Sequence, residues 1–144
     1  RIGDTKKRLI DELKNEFKDA EIKEADSELS KWSKGLIHYL SGSALWPKLP
    51  YDVKATAFQR MVWDHLRTIP EGRTANYGEI AAAIGRPQAV RAVARACATN
   101  PAAIVIPCHR AVPKSGAIGG YRWGAERKKK LLEVEKRKKF RLRS

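Results

Sequence analysis

Apolar residues at Leu9, Ile10, Leu13 and Phe17 recur at three- and four-residue steps behind Asp4-Thr5, which predicts a first helix over about residues 5–18 with a polar cap. Leu29, Trp32, Leu36, Ile37 and Leu40 repeat the period. Ser27 or Ser30 can cap this second helix, His38 is read as structural within it, and Ser41-Gly42-Ser43 ends it. Pro47 and Pro50 punctuate an extended linker, residues 44–54, between a reduced N-terminal part (1–50) and a main body (51–144). From Thr56 the spacing of Phe58, Met61, Val62, Leu66 and Ile69 gives an amphipathic helix closed by Pro70-Glu71-Gly72, with Trp63 and His65 packing on or beside its face.

The pattern then shortens. Tyr77 opens a brief helix that ends at Gly85, and Pro87, at a first-turn position, opens another over 88–98, rich in Ala and Val. Arg91 and Arg95 stand four apart on one face of it. Two helices joined through Gly85-Arg86-Pro87 resemble a helix-turn-helix, whose small residues would let the second helix approach a DNA backbone closely, although Ala-rich pairs are also common in cores. Ile104-Val105-Ile106 reads as a short buried strand stopped by Pro107. Turns at Lys114-Ser115-Gly116 and Gly119-Gly120 flank Ile118, and a last helix, about 125–136, carries Leu131, Leu132 and Val134. The expected class is α/β: a small, shortened N-terminal part, then a mostly helical C-terminal domain with a winged-helix-like helix-turn-helix.

Charge sharpens this. The 144 residues carry a net charge of +14. Residues 1–50 hold 10 Lys/Arg against 9 Asp/Glu, residues 51–121 hold 9 against 4, and residues 122–144 hold 11 against 3. A positive field concentrated in the C-terminal two thirds suggests a polyanionic partner, nucleic acid first and an acidic membrane surface second, while the run at 136–143 also fits a solvated tail. No apolar run reaches membrane-spanning length and no signal-peptide pattern stands at the start, so a soluble, intracellular protein with reduced thiols is expected. Cys97 and Cys108, the two cysteines, offer no disulfide framework.

Cys108 follows a strand end and precedes an imidazole and a guanidinium, where cations favour the nucleophilic thiolate. A lone cysteine beside an apolar strand is also an ordinary core residue, and neighbours on a strand face apart, so His109 acts on Cys108 only if the chain turns or a water bridges them. A metal site is not expected, because no second Cys/His pair stands at ligand spacing. Cys97 is assigned to the core of its helix. Glu135, among lysines, reads locally as a surface carboxylate paired with Lys or Arg.

Taken together, Pro107-Cys108-His109-Arg110, preceded by Arg91-Ala92-Val93 and Asn100-Pro101 and followed by Gly119-Gly120-Tyr121 and Leu131-Leu132-Glu133-Val134-Glu135, resemble the O6-alkylguanine-DNA alkyltransferases. Through Arg91-Ala92-Val93-Ala94-Arg95-Ala96-Cys97 and Tyr121-Arg122-Trp123-Gly124 the chain is similar, within that family, to the C-terminal domain of the bacterial adaptive-response protein. The resemblance runs from about Thr56 to Glu135. It implies single-turnover removal of the alkyl group from O6 of guanine, less efficiently from O4 of thymine, onto Cys108, with no cofactor. It further implies that Glu135 orients His109, which deprotonates Cys108 through a water, that Asn100 organises the active-site turn, and that Tyr77 helps rotate the nucleotide and donates toward the leaving guanine. Arg91 would fill the base stack while its helix enters the minor groove, and Arg95, Gln88, Ala89, Arg110 and Tyr121 would join it at the DNA. The implied partner is double-stranded DNA containing O6-alkylguanine, bound by a monomer, in the cytoplasm of a bacterial-type cell or in a nucleus.

Elementary chemistry agrees with the resemblance. An alkyl carbon inside a duplex is out of reach of a side chain, so the nucleotide must leave the stack, at a cost of a few kcal/mol. Displacing guanine calls for a soft anionic nucleophile and a proton donor. The resulting thioether is not undone by thiol exchange. Some features depart from the family pattern. Arg1-Ile2-Gly3-Asp4 looks like the end of a strand without its sheet partners, Ala111 replaces a branched residue, and neither the zinc ligands of some members nor the phosphotriester-repair and activator region has a counterpart. Two other functions fit parts of the pattern: a lesion-binding module that flips the base and recruits other factors without chemistry, and a transcription regulator using the helix pair alone.

Overall fold

The computed structural model describes residues 5–16, 18, 21, 27–118 and 120–141. The strand end read at Arg1-Ile2-Gly3-Asp4, the Asp4 cap, Phe17, Gly119 and the tail beyond Arg141 lie outside the described residues. The elements are α1 (Lys6–Glu16), α2 (Ser27–Leu40), α3 (Ala57–Thr68), β1 (Ala75–Asn76), α4 (Tyr77–Ala83), α5 (Val90–Ala98), a 3-10 turn (Cys108–Arg110), β2 (Ala111–Val112) and α6 (Ala125–Arg141). The architecture is helical with one small parallel sheet, in which Ala75 pairs with Ala111 and Asn76 with Val112. That pair fixes the chain leaving the 3-10 turn beside the start of α4.

Local chemistry accounts for the helix starts. Thr5 Oγ1 accepts from Arg8 N at 3.2 Å at the head of α1. Thr56 and Gln59 form a reciprocal capping box on α3, and Asn76 and Glu79 form another on α4. Gly85 closes α4 with φ +70, its N–H donating to Ala82 O and the Arg86 N–H to Ala81 O, so that both terminal carbonyls are satisfied. The resulting turn continues through Pro87 and Gln88, so α5 begins at Val90, two residues later than the periodicity places it. A Cβ at Gly85 would meet nothing within 4 Å. Gly85→Ala is therefore expected to cost only the left-handed backbone penalty, about 1 kcal/mol in urea unfolding.

Two apolar clusters hold the molecule together. In the larger, Val62, Trp63 and Leu66 of α3 meet Ile80 and Ala81 of α4 and Val93, Ala96 and Cys97 of α5, with Ile106, Cys108 and Ala111 on the same core. Trp63 Nε1 donates to Ala96 O at 2.9 Å, tying α3 to the end of α5. The smaller joins Tyr39 of α2, Ile104 and Leu131 of α6, with Leu36, Trp46 and Tyr121 against it. On α2 the inward stripe is therefore Tyr39, which is buried, with Trp32 and Leu36 half-buried, whereas Leu29, Ile37 and Leu40 are exposed.

One element differs in kind from the expectation. Ile104-Val105-Ile106 is not a ladder strand but a turn, with a single bridge between Ala103 and Ile106 and Ile104 at φ +73. Asn100 is the reason: its Oδ1 accepts from Ala102 N and its Nδ2 donates to Ile106 O, both at 2.9 Å. With Ile106 N donating to Ala102 O, the loop satisfies its own polar groups. Burial of Ile104 in the smaller cluster offsets a left-handed conformation that costs a β-branched residue about 1–3 kcal/mol.

Candidate active site

Cys108 begins the 3-10 turn, which is closed by Cys108 N donating to Ile106 O and Arg110 N to Pro107 O. Because the chain turns here, consecutive residues are not forced to opposite faces as on a strand. The thiol is 2% exposed, and Asn100 Nδ2 donates to its sulfur at 2.9 Å. Burial pushes the thiol's pKa up, against the pull of the Asn100 hydrogen bond and the Lys128 charge, and burial prevails. At neutral pH Cys108 rests as a thiol and needs a base.

A candidate base stands one residue on. His109 is fully buried and its Nε2 lies 2.8 Å from Glu135 Oε1, while its Nδ1 has no hydrogen-bond partner among the described residues. Glu135 is also fully buried, contrary to its local reading as a surface carboxylate. Burial alone would raise its pKa, but the hydrogen bonds and charges of His109 and Arg110 outweigh that and hold the carboxyl below the usual range. An ionised carboxylate accepts, so Nε2 carries the proton and Nδ1 is the basic nitrogen. Burial in turn keeps the imidazole neutral, lowering its pKa against the pull of Glu135.

The helix α6 delivers Glu135 by simple periodicity. Lys128, Leu131, Leu132, Glu135 and Lys138 are all buried, at three- and four-residue steps, so one face of α6 mixes leucines with charges. Lys128 Nζ donates to Ala111 O at 2.6 Å, and its charge reaches the thiol. Neither Lys128 nor Lys138 stands out in a run of lysines, but their register with Leu131 and Leu132 marks them.

Arg110 requires a correction. It is 1% exposed, and its Nη1 donates to Ile69 O at 2.5 Å while its Nε and Nη2 grip Glu135 at 2.9–3.2 Å. A guanidinium committed in this way is structural and cannot meet DNA. Burial raises the pKa values of Tyr77 and Tyr121, with Cys97 and then Cys108 adding to it at Tyr77 and Cys108 at Tyr121, so both hydroxyls stay protonated. The buried Tyr121 hydroxyl lies beside the Cys108 sulfur and interacts with it, pulling the thiol's pKa down as its own is pushed up. Gln88, Arg91 and Arg95 are exposed and Ala89 half-buried, on α5 and its approach, apart from this cluster. Cys97 is in the core, as expected. Two further participants had no prior signal: Tyr39, whose hydroxyl donates to Glu135 Oε1, and Gly72, whose N–H donates to Glu135 Oε2 at 2.9 Å.

These groups set a pH window for stability. Both Glu135 and His109 have depressed folded pKa values, so their stabilisation is complete above the unfolded values, 4.5 and 6.5, and is lost as pH falls. Cys108 is raised, so its contribution is complete below 9.0 and is lost above. Thermal melts are expected to plateau between about pH 6.5 and 9 and to decline on both sides.

Among the described residues no group of three or more His, Cys, Asp or Glu is assembled to hold a metal ion, and no helix is long and apolar enough to cross a membrane.

Comparison with known proteins places these features in context. The model of the DNA-binding domain of 6-O-methylguanine DNA methyltransferase matches residues 57–137. The chain is 47% identical over 134 residues, 93% of its length, to the bifunctional transcriptional activator/DNA repair enzyme Ada of Escherichia coli, of which it covers 38%. It therefore spans well under half the length of the Ada relatives it matches. It is 39% identical over 129 residues to the inducible methylated-DNA--protein-cysteine methyltransferase of Bacillus subtilis, covering 90% of this chain and 72% of that one. Among solved structures, Mycobacterium tuberculosis OGT in complex with DNA superposes with a TM-score of 0.73 at 45% identity, covering 76% of this chain and 68% of that one.

Proposed function

Since this chain belongs to the 6-O-methylguanine DNA methyltransferase family, we propose that it repairs O6-alkylguanine, and less efficiently O4-alkylthymine, in double-stranded DNA by moving the alkyl group irreversibly to Cys108. The observation that carries the reading is one buried cluster in which Asn100 holds the sulfur and Glu135 holds His109 beside it. His109 Nδ1, through a water, accepts the thiol proton. The sulfur forms a bond to the alkyl carbon as the carbon–O6 bond breaks, and the oxygen's electron pair is met by the proton or hydrogen bond that Tyr77 supplies. The product is a thioether and a restored guanine. Each molecule acts once, as a monomer, without a cofactor.

DNA contact falls to the exposed face of α5 and the turn before it. We read α4, the turn at 85–89 and α5 as a helix-turn-helix in which Arg91 enters the base stack, Arg95 and Gln88 meet the backbone, and Ala89 permits close approach. The chemistry and this surface belong to residues 51–144, and residues 1–50 form the smaller N-terminal part. Cys108 is 2% exposed, so a flipped base reaches its sulfur only when the groups packed over it move aside. Arg91→Ala, at an exposed position, is expected to leave the melting temperature unchanged and to slow repair of duplex substrate about tenfold or more, while repair of a lesion already unstacked in single-stranded DNA changes less.

The test is incubation with a duplex oligonucleotide containing O6-methylguanine, followed by peptide mapping. A methyl group on the peptide carrying Cys108, at one per molecule, is expected; transfer to another residue, or none, overturns the proposal. Binding without any transfer would instead favour a lesion-binding module.

A further inference from the structure

The Tyr39 hydroxyl shares an oxygen with the histidine. It donates to Glu135 Oε1, the same atom that lies 2.8 Å from His109 Nε2 and accepts from Arg110 Nη2 at 2.9 Å, whereas Oε2 accepts from Gly72 N and shares Arg110 Nε with Oε1. Tyr39 comes from α2, outside residues 57–137, and is fully buried. Its ring is held by the smaller cluster and by Lys138, whose Nζ lies 3.8 Å from the ring centroid. Lys138 is itself tied to Ala44 O at 2.5 Å and to Glu71 at 3.7 Å. The hydroxyl is thus fixed on the carboxylate rather than on some convenient carbonyl.

We propose that Tyr39 is a positioning residue of the transfer reaction, acting through Glu135 to set the basicity of His109. The proposal rests on the alkyl-transfer reading above. A donor on Oε1 draws off part of the negative charge that would otherwise stabilise a protonated His109, so the imidazole stays neutral to lower pH and keeps Nδ1 ready to accept. The other charged groups facing this unit are Arg110 from the 3-10 turn, Lys128 and Lys138 from α6, and Glu71 from the turn after α3. All of them remain in Tyr39→Phe, so that variant removes one donor and nothing else, and Oε1 keeps its other partners.

The experiment is the pH dependence of single-turnover methyl transfer, with the imidazole 15N shifts of His109 titrated in DNA-free protein. In Tyr39→Phe the acid limb of the rate and the His109 titration should both move up, by about half a pH unit. Site-specific 3-fluorotyrosine at position 39, a stronger donor on the same ring, should move both down. Leu36→Ala, which loosens the same packing without touching Glu135, should leave both in place. Profiles that superimpose on the wild type, or an equal shift in Leu36→Ala, overturn the proposal. Should the phenylalanine variant not fold, the fluorotyrosine protein decides on its own. An inactive wild type would defeat the alkyl-transfer reading, and the His109 titration would still show whether Tyr39 tunes that histidine.

Discussion

Cys108→Ser is expected to bind lesion-containing duplex with unchanged affinity and to transfer no measurable alkyl group, a loss of at least about a thousandfold in single-turnover rate. The hydroxyl that replaces the thiol is much less acidic, and His109, kept neutral by burial rather than made strongly basic, is a poor match for it. Folding should survive. Asn100 Nδ2 donates to Ile106 O as well as to the sulfur, and a serine oxygen can accept where the sulfur did. Gel-shift titration and a quenched-flow repair assay on the same sample separate binding from chemistry. Equal loss of both would mean that Cys108 is structural.

What the sequence disclosed depended on whether a residue's role could be expressed as a period. The spacing that predicted α3 and α6 is set by nearest-neighbour burial, and those helices are where it puts them, although α6 continues to Arg141 rather than ending near 136. The turn at 100–106 was invisible to that reading because Ile104-Val105-Ile106 has β-rich composition, while its conformation is imposed by the side chain of Asn100 several residues earlier. Arg110 was assigned to the DNA only through the resemblance, and nothing local announced the buried carboxylate from α6 that claims its guanidinium instead. Local sequence placed Glu135 at the surface, and only the resemblance brought it to His109. Tyr39 carried no signal at all, since its partner is 96 residues away.

Glu135 is where stability and chemistry are most tightly joined, and two substitutions separate them. Glu135→Ala removes the only ion-pair partner given to Arg110 among the described residues, leaving a guanidinium that is 1% exposed uncompensated. Breaking a buried pair from one side costs about 3–5 kcal/mol, so this variant is expected to be largely unfolded near physiological temperature. Glu135→Gln keeps the shape and one accepting oxygen, which Arg110 can retain at a smaller cost. His109 Nε2, Arg110 and the Tyr39 hydroxyl all meet Oε1, so the amide oxygen stays at that position and Nε2 keeps its proton; what the substitution removes is the negative charge that stabilises a protonated imidazole. The ring is then correctly placed but less basic at Nδ1, so it takes up the thiol proton less readily. Transfer by folded Glu135→Gln should therefore fall by about 10²-fold or more, within the range that a weakened general base costs. Urea unfolding fixes the folded fraction, and the 15N shifts of His109 report which nitrogen is protonated. A folded Glu135→Gln protein with near-normal transfer would mean that the carboxylate's charge serves only to hold Arg110 and does not set the basicity of His109.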